Sequence, residues 1–478
     1  MKKIAFSVCA AFFIFSLTAQ ITFETTVGTI DDDSGNSIAE CTDGGFIISG
    51  YYENYYSGYE NIYIVRLNQF GDTLWTYREG ETYQYCSAYS VCETFDLGYI
   101  VTGYIYTGDE EQPFLLKLSS DGTKEWMKVY SSFLTKGSGR SVIMTTDSAF
   151  VFCGTAETDK NPDKLWNQEV FVAKTDSQGE VIWSKILGGW GVHYAIDIIE
   201  TSDSNYVVAG VFDTPGEYHD AWAFKVHKTG ITLWNKTYGT STSLDSFYSV
   251  DETTDGGLIF CGTKFNGITA LDGDVYLVKT NANGNMEWFK TFGEGFDVRG
   301  ISACSTNDSG FIIGAKSENY SNGDYDILLI KTDIQGDTLW TRFYGGPLFE
   351  YIRSLITTND GGYAFTGYTR SYGVGGSDVY AVKTNADGLL TSINDNLSLP
   401  QVTISPNPSN GLFYVICDRP LNGYTVYDLN GKTVAEQTFL NNNLKTFTID
   451  LQNKPDGLFC VTINSEGYYH SFKVIKSQ

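Results

Sequence analysis

The 478-residue chain carries 57 Asp and Glu against 32 Lys and Arg, a formal charge of −25. An acidic balance of that size excludes nucleic acid as a partner and an anionic membrane surface as a docking site, because both would repel it. It favours solubility, and it names no ligand.

Taken in chain order, Met1, Lys2 and Lys3 precede an apolar run from Ile4 to Ala19 that ends on Leu17-Thr18-Ala19. A basic start, an apolar core and a small-residue cleavage site predict a signal peptide over residues 1–19. The alternative is a first buried element of the fold. At 16 residues the run is short of the roughly 20 that a spanning helix needs. No later stretch is apolar for long enough, so no integral membrane segment is expected in the mature chain.

From residue 20 the sequence repeats. Gly71-Asp-Thr-Leu-Trp75, Gly122-Thr-Lys-Glu-Trp126, Gly179-Glu-Val-Ile-Trp183, Gly230-Ile-Thr-Leu-Trp234, Gly284-Asn-Met-Glu-Trp288 and Gly336-Asp-Thr-Leu-Trp340 place tryptophan four after glycine, at spacings of 51, 57, 51, 54 and 52 residues. An upstream signature, clearest as Thr42-Asp-Gly-Gly-Phe-Ile-Ile-Ser-Gly50, occurs seven times, with degenerate copies at Asp96-Leu-Gly98, Asp147-Ser-Ala149, Asp203-Ser-Asn205 and Asp308-Ser-Gly310. Between the two lies an apolar strand such as Val275-Tyr-Leu-Val-Lys-Thr280, closed by an Asp/Asn and Gly turn that reads as a hairpin. Each unit therefore holds four short strands and no helix; in the fourth these are 195–200, 206–212, 221–227 and 231–237. Four antiparallel strands every fifty residues or so predict an all-β fold, a seven-bladed β-propeller over 20–388.

Seven upstream signatures face only six tryptophan motifs. The last unit has no tryptophan strand, whereas the mature start offers Phe23 and Gly28 with the same five-residue spacing as Trp183 and Gly188. Residues 21–27 are therefore expected to supply the outer strand of the seventh blade, whose other strands come from 349–385. The alternative is a disordered terminus. The repeated Gly, Asp and Trp are read as structural: turn backbone, turn cap and packing between blades. Cys41, Cys86, Cys92, Cys153, Cys261 and Cys304 form no CxxC pair and read as buried small hydrophobes. No metal site or cofactor is implied.

A linker is placed at 389–400, and from 401 the period ends. Alternating strands between Gly, Asn and Pro turns predict a small β-sandwich of Ig-like kind over 401–478. Its motifs are Pro406-Asn407-Pro408 with Gly411, Tyr427-Asp428 with Gly431-Lys432, Gly457 with Val461, and Lys473-Val-Ile-Lys476. Together they resemble the type A C-terminal sorting domain of the type IX secretion system in Bacteroidota. Where that family commonly has Gly-x-Tyr, this chain has Gly457-Leu-Phe459. The resemblance implies export through the periplasm, the type IX machinery as a partner, and a mature protein that is secreted or attached to the outer-membrane surface. Export also leaves a disulfide between Cys417 and Cys460 open.

The Asp-Gly turns share one face of such a propeller, and the longer connections of varied sequence share the other, which makes the second face the natural binding surface. The aromatic residues expected there are Tyr51, Tyr52, Tyr55, Tyr56, Tyr59, Tyr104, Tyr106, Trp166, Tyr218, Phe265, Tyr320 and Tyr372. Aromatic faces stack on sugars or anchor protein partners, and tyrosines equally stiffen loops. No Gly-x-Ser-x-Gly elbow, His-Glu-x-x-His pair or histidine cluster occurs, so no catalytic residue is named. The leading expectation is a surface or secreted protein that binds glycan or protein. A polysaccharide hydrolase or lyase and a structural envelope or matrix protein are the alternatives.

Overall fold

A computed structural model describes residues 20–477 except 55–57, 81–84, 109, 132–135, 158–167, 190, 214–218, 240–242, 266–272, 294–296, 319–324, 391–401, 418–419, 429–431, 440–443 and 466–467. The expected signal peptide and most of the expected linker lie outside the described residues. The chain divides into two compact units between Thr391 and Ser392.

The larger unit consists of seven four-stranded antiparallel sheets. Sheets 1–6 take consecutive strands, so that sheet 4 is Tyr194–Glu200, Tyr206–Phe212, Asp220–Val226 and Thr232–Tyr238. Their first strands are Asp33–Glu40, Cys86–Glu93, Lys136–Met144, Tyr194–Glu200, Asp245–Glu252 and Val298–Ser305. Sheet 7 is Glu350–Thr357, Tyr363–Thr369 and Asp378–Thr384, completed by Phe23–Val27 from the other end of the chain. The first strand of each sheet packs on the first strand of the next, and that of sheet 7 packs on that of sheet 1, which closes the cycle.

The register explains why phenylalanine stands where tryptophan is missing. Trp183 pairs across from Lys174, Trp234 from Lys225 and Trp340 from Lys331. Phe23 pairs across from Lys383, the matching position of sheet 7. Each tryptophan lies on the turn glycine of the following sheet: Trp75 on Gly122, Trp126 on Gly179, Trp340 on Gly388. Phe23 lies on Gly71 in the same way, tying sheet 7 to sheet 1. These glycines have positive φ, 84° at Gly122, so they supply both the turn and room for the ring.

The third strand of every sheet carries a buried cation that reaches the aspartate of the first turn. Arg66–Asp43, Lys117–Asp96, Lys174–Asp147, Lys225–Asp203, Lys279–Asp255, Lys331–Asp308 and Lys383–Asp360 are separated by 2.6–3.0 Å. The same aspartates accept from the turn backbone: Gly98 N–H donates to Asp96 and Gly257 N–H to Asp255. The repeated Asp is thus both a turn cap and a counter-ion. Adjacent sheets are latched by glutamates: Thr42 donates its N–H to Glu93, Thr146 to Glu200, Ser202 to Glu252 and Asn359 to Glu40, at 2.7–2.9 Å. Hydrophobic clusters fill the spaces between neighbouring sheets, the one between sheets 7 and 1 including Phe23, Ile38, Phe46, Val379 and Ala381.

In the smaller unit Val402–Ser405, Leu412–Cys417 and Thr446–Asp450 form one sheet. Gly423–Tyr427, Thr433–Thr438, Gly457–Ser465 and Tyr468–Lys476 form another. The two share a core of Phe413, Val415, Val426, Ile449, Val461 and Val474. Asn407 gives the Pro-Asn-Pro motif its purpose. Its amide donates to Lys473 O and its carbonyl accepts from Ile475 N–H, both at 2.8 Å, which clamps the last strand. Lys476 donates to Asp456 beside Gly457, and Gly411 O accepts from Leu451 N–H. Lys432 N–H donates to Asp428, while Gly431 lies outside the described residues. Cys417 lies in the first of these sheets and Cys460 in the second, and no disulfide joins the two.

Candidate functional site

Each of the seven first strands has one extra residue at the same place, a β-bulge that turns a side chain out of the ladder. The bulged residues are Asn36, Tyr89, Arg140, Ile196, Tyr248, Ile301 and Arg353. They line a cavity of about 640 Å³ enclosed by the cycle of first strands. The next residue in each strand is Ser37, Ser90, Ser141, Asp197, Ser249, Ser302 or Ser354. These small polar side chains stitch neighbouring strands together. Ser90 accepts from Val142 N–H, Ser249 from Ala303 N–H and Asp197 from Val250 N–H, at 2.9–3.1 Å. Asp197 also accepts from the Ser141 hydroxyl at 3.0 Å, yet burial pushes its carboxyl up to about 6. Asp251 is raised to about 6 by the same cause.

The cavity wall is cationic and aromatic at the end where the first strands begin, opposite the repeated Asp-Gly turns. Three of the chain's eight arginines are here, although the protein as a whole is acidic. The Arg140 guanidinium lies 4.2 Å above the Tyr89 ring, and that of Arg353 lies 4.7 Å above Tyr351. Arg299 donates to Asp297 at 2.8 Å and sits 5.1 Å above Phe265. Lys316, paired in register with Arg299, lies 4.4 Å from the Tyr325 ring centre and 5.4 Å from that of Tyr351. Tyr351 and Tyr368 stack in parallel, 5.7 Å apart. Burial and the nearby Arg299 hold the Lys316 ammonium below its usual range. Such stacked cations are held in fixed positions while their charge stays available.

The aromatic residues expected on loops are placed at strand ends. Tyr51, Tyr52, Tyr104, Tyr106 and Phe265 are in the second halves of second strands, and Tyr59 opens a third strand. Tyr104, at 5.6 Å from Tyr89, and Phe265, beneath Arg299, are almost fully buried and form the wall behind the bulged ring. Tyr51 lies within electrostatic reach of Arg353 and Tyr368. Tyr52 turns instead to Arg78 and Tyr63, while Tyr59 and Tyr106 pack on Tyr85. Tyr372 is exposed and donates its hydroxyl to Gly345 O at 2.9 Å. Tyr55, Tyr56, Trp166, Tyr218 and Tyr320 lie outside the described residues. The bulged ring itself was readable as a recurring x-Ser-apolar pattern, as in Tyr89-Ser-Val, Arg140-Ser-Val and Arg353-Ser-Leu, but its inward direction depends on the bulge.

Residues 403–477 match the secretion system C-terminal sorting domain. The terminal unit is a sorting domain of the type IX system, and it marks the chain for export, to be secreted or held at the cell surface. Among the described residues no helix is long and apolar enough to cross a membrane. Comparison with the curated proteins finds no match. Among solved structures, a protein of unknown function from Dyadobacter fermentans is 10% identical, with 76% of this chain and 98% of that one covered and a TM-score of 0.45. PorZ of Porphyromonas gingivalis, a surface component of the type IX secretion system, is 9% identical over 91% of this chain and 58% of its own, with a TM-score of 0.46. The β-propeller domain of the Trilobed protease of Pyrococcus furiosus is 11% identical over 77% and 98%, with a TM-score of 0.43.

Proposed function

We propose that the seven sheets are the blades of a β-propeller spanning 20–388 and closed by its N-terminal strand. In this reading a signal peptide, 1–19, precedes it, and a linker, 389–400, leads to an Ig-like sandwich, 401–478. The exported protein binds glycan at the mouth of its central channel. One observation carries the assignment: a cavity of about 640 Å³ whose mouth is framed by Tyr89, Tyr248 and Tyr351 under fixed arginines. Sugar sites combine ring faces for stacking with a few rigid polar groups for orientation, and this mouth supplies both.

The purified protein, incubated on a broad polysaccharide array, tests the reading when bound protein and released reducing or unsaturated ends are both measured. Retention without new ends is the expected result. New ends would replace it with the hydrolase or lyase reading, and silence in both channels would move a protein ligand or a structural role to the front.

A further inference from the structure

We infer that the arc of the channel mouth on sheets 6 and 7 is an anion subsite, in which Arg353 and Lys316 take the carboxylate of an acidic sugar. The inference rests on the glycan-binding reading above and names the class of glycan.

Eight lysines and arginines are buried among the described residues, and seven of them are the third-strand cations, each matched by its own aspartate at 3.0 Å or less. Lys316 is the eighth, 9% exposed, and no carboxylate or hydrogen-bond acceptor meets its ammonium among the described residues. Its contacts are the rings of Tyr325 and Tyr351. A buried cation without a counter-ion is costly, and the other seven buried cations among the described residues each have one.

The surroundings of Lys316 add more positive charge. Arg299 and Arg353 both act on it, and Arg370 acts on the adjoining Tyr368. Arg353 is exposed in the cavity, rests on Tyr351 and forms no ion pair among the described residues. The acids facing the group are Asp297 and Glu318. Asp297 is already engaged by Arg299 Nε and by the Tyr325 hydroxyl at 3.3 Å. Four cations therefore converge on a wall of tyrosines, with their charge incompletely matched by protein. An exposed guanidinium offers a carboxylate two parallel hydrogen bonds, and the neighbouring ammonium adds a point charge. Tyr248, which lines the cavity near Arg299 and Tyr351, provides an apolar surface for the sugar ring.

The test presents the full protein with oligomers of galacturonate, glucuronate and mannuronate, each beside its carboxyl-reduced counterpart of equal length. The charged form should bind more tightly by about tenfold to a hundredfold, as expected for a charge-assisted hydrogen bond, and should weaken as salt rises. Arg353→Gln and Lys316→Met should each abolish the difference between the two forms, while Lys316→Arg keeps it. Thermal melting is read alongside, and if Lys316→Met does not fold, Arg353→Gln and the salt series decide. Equal binding of charged and reduced forms would overturn the anion subsite and leave the glycan reading standing. Retention of neither form, with neutral glycans bound elsewhere on the array, would overturn the subsite alone. Silence across the whole array would overturn both.

Discussion

Leu97, Ser148, Ser204 and Ser309 hold φ of 61–65°, a left-handed conformation that the first, fifth and seventh repeats give to Gly44, Gly256 and Gly361. The degenerate copies of the Asp-Gly-Gly signature therefore keep the backbone of the complete ones. Leu97, 52% exposed, gains little from its side chain there, so Leu97→Gly should raise stability by about 1 kcal/mol in chemical denaturation. The carboxylates make a second prediction. Burial is the main cause that raises Asp33, Asp197, Asp251 and Asp378 to about 6, and Asp326, beside Glu350, to about 7. An acid raised on folding contributes fully below its unfolded value of about 4, and that contribution is lost as pH rises through the folded value. Asp255, lowered to about 2 mainly by its bond to the Thr253 hydroxyl, does the reverse and loses its contribution as pH falls through that value. Calorimetry should therefore find the unfolding temperature highest at a pH of about 4 to 5 and falling toward neutrality, with Asp197→Asn flattening part of the fall. None of these shifts was legible in sequence, because each depends on which of 57 acids the packing buries.

Strands were the most legible level. The turn glycine and the tryptophan four residues on mark the outer strands of the first six sheets, and in the fourth repeat the expected spans fall within one residue of the observed ones. The pairing of Phe23–Val27 with Asp378–Thr384 was legible from one spacing, Phe23 to Gly28, because the tryptophan it replaces also packs on the next turn glycine. Phe23→Ala should cost about 3 kcal/mol, as for a buried aromatic, and should lower the unfolding temperature more than any single outer-strand Trp→Phe change. Phe23→Trp should be tolerated. A Phe23→Ala protein that melts like the parent would contradict closure by this strand. What sequence could not supply was the bulge. A one-residue insertion in the ladder leaves the apolar pattern almost unchanged, yet it decides that Arg140 and Arg353 face the cavity.

At the scale of the molecule, an acidic protein gathers Arg140, Arg299 and Arg353 around one cavity, with Lys316 in register with Arg299. Of the twelve aromatic residues expected on the variable face, Tyr104 and Phe265 stand behind the cavity wall and Tyr51 lies within electrostatic reach of it, whereas the tyrosines that line the cavity are Tyr89, Tyr248 and Tyr351. They belong to strands rather than loops, so a search for loop aromatics passes them over. The terminal unit predicts a separable phenotype: a chain ending before residue 401 should fold its repeats but accumulate in the periplasm, as cell fractionation would show. The most direct test of the binding site compares four proteins on the same polysaccharide array: the parent, Tyr351→Ala, Arg353→Gln and, in an exposed turn of the opposite face, Gln178→Ala. The account predicts that both mouth variants lose about tenfold or more in affinity with unchanged melting, while Gln178→Ala binds like the parent. Undiminished binding by both mouth variants, or a loss confined to Gln178→Ala, would contradict it.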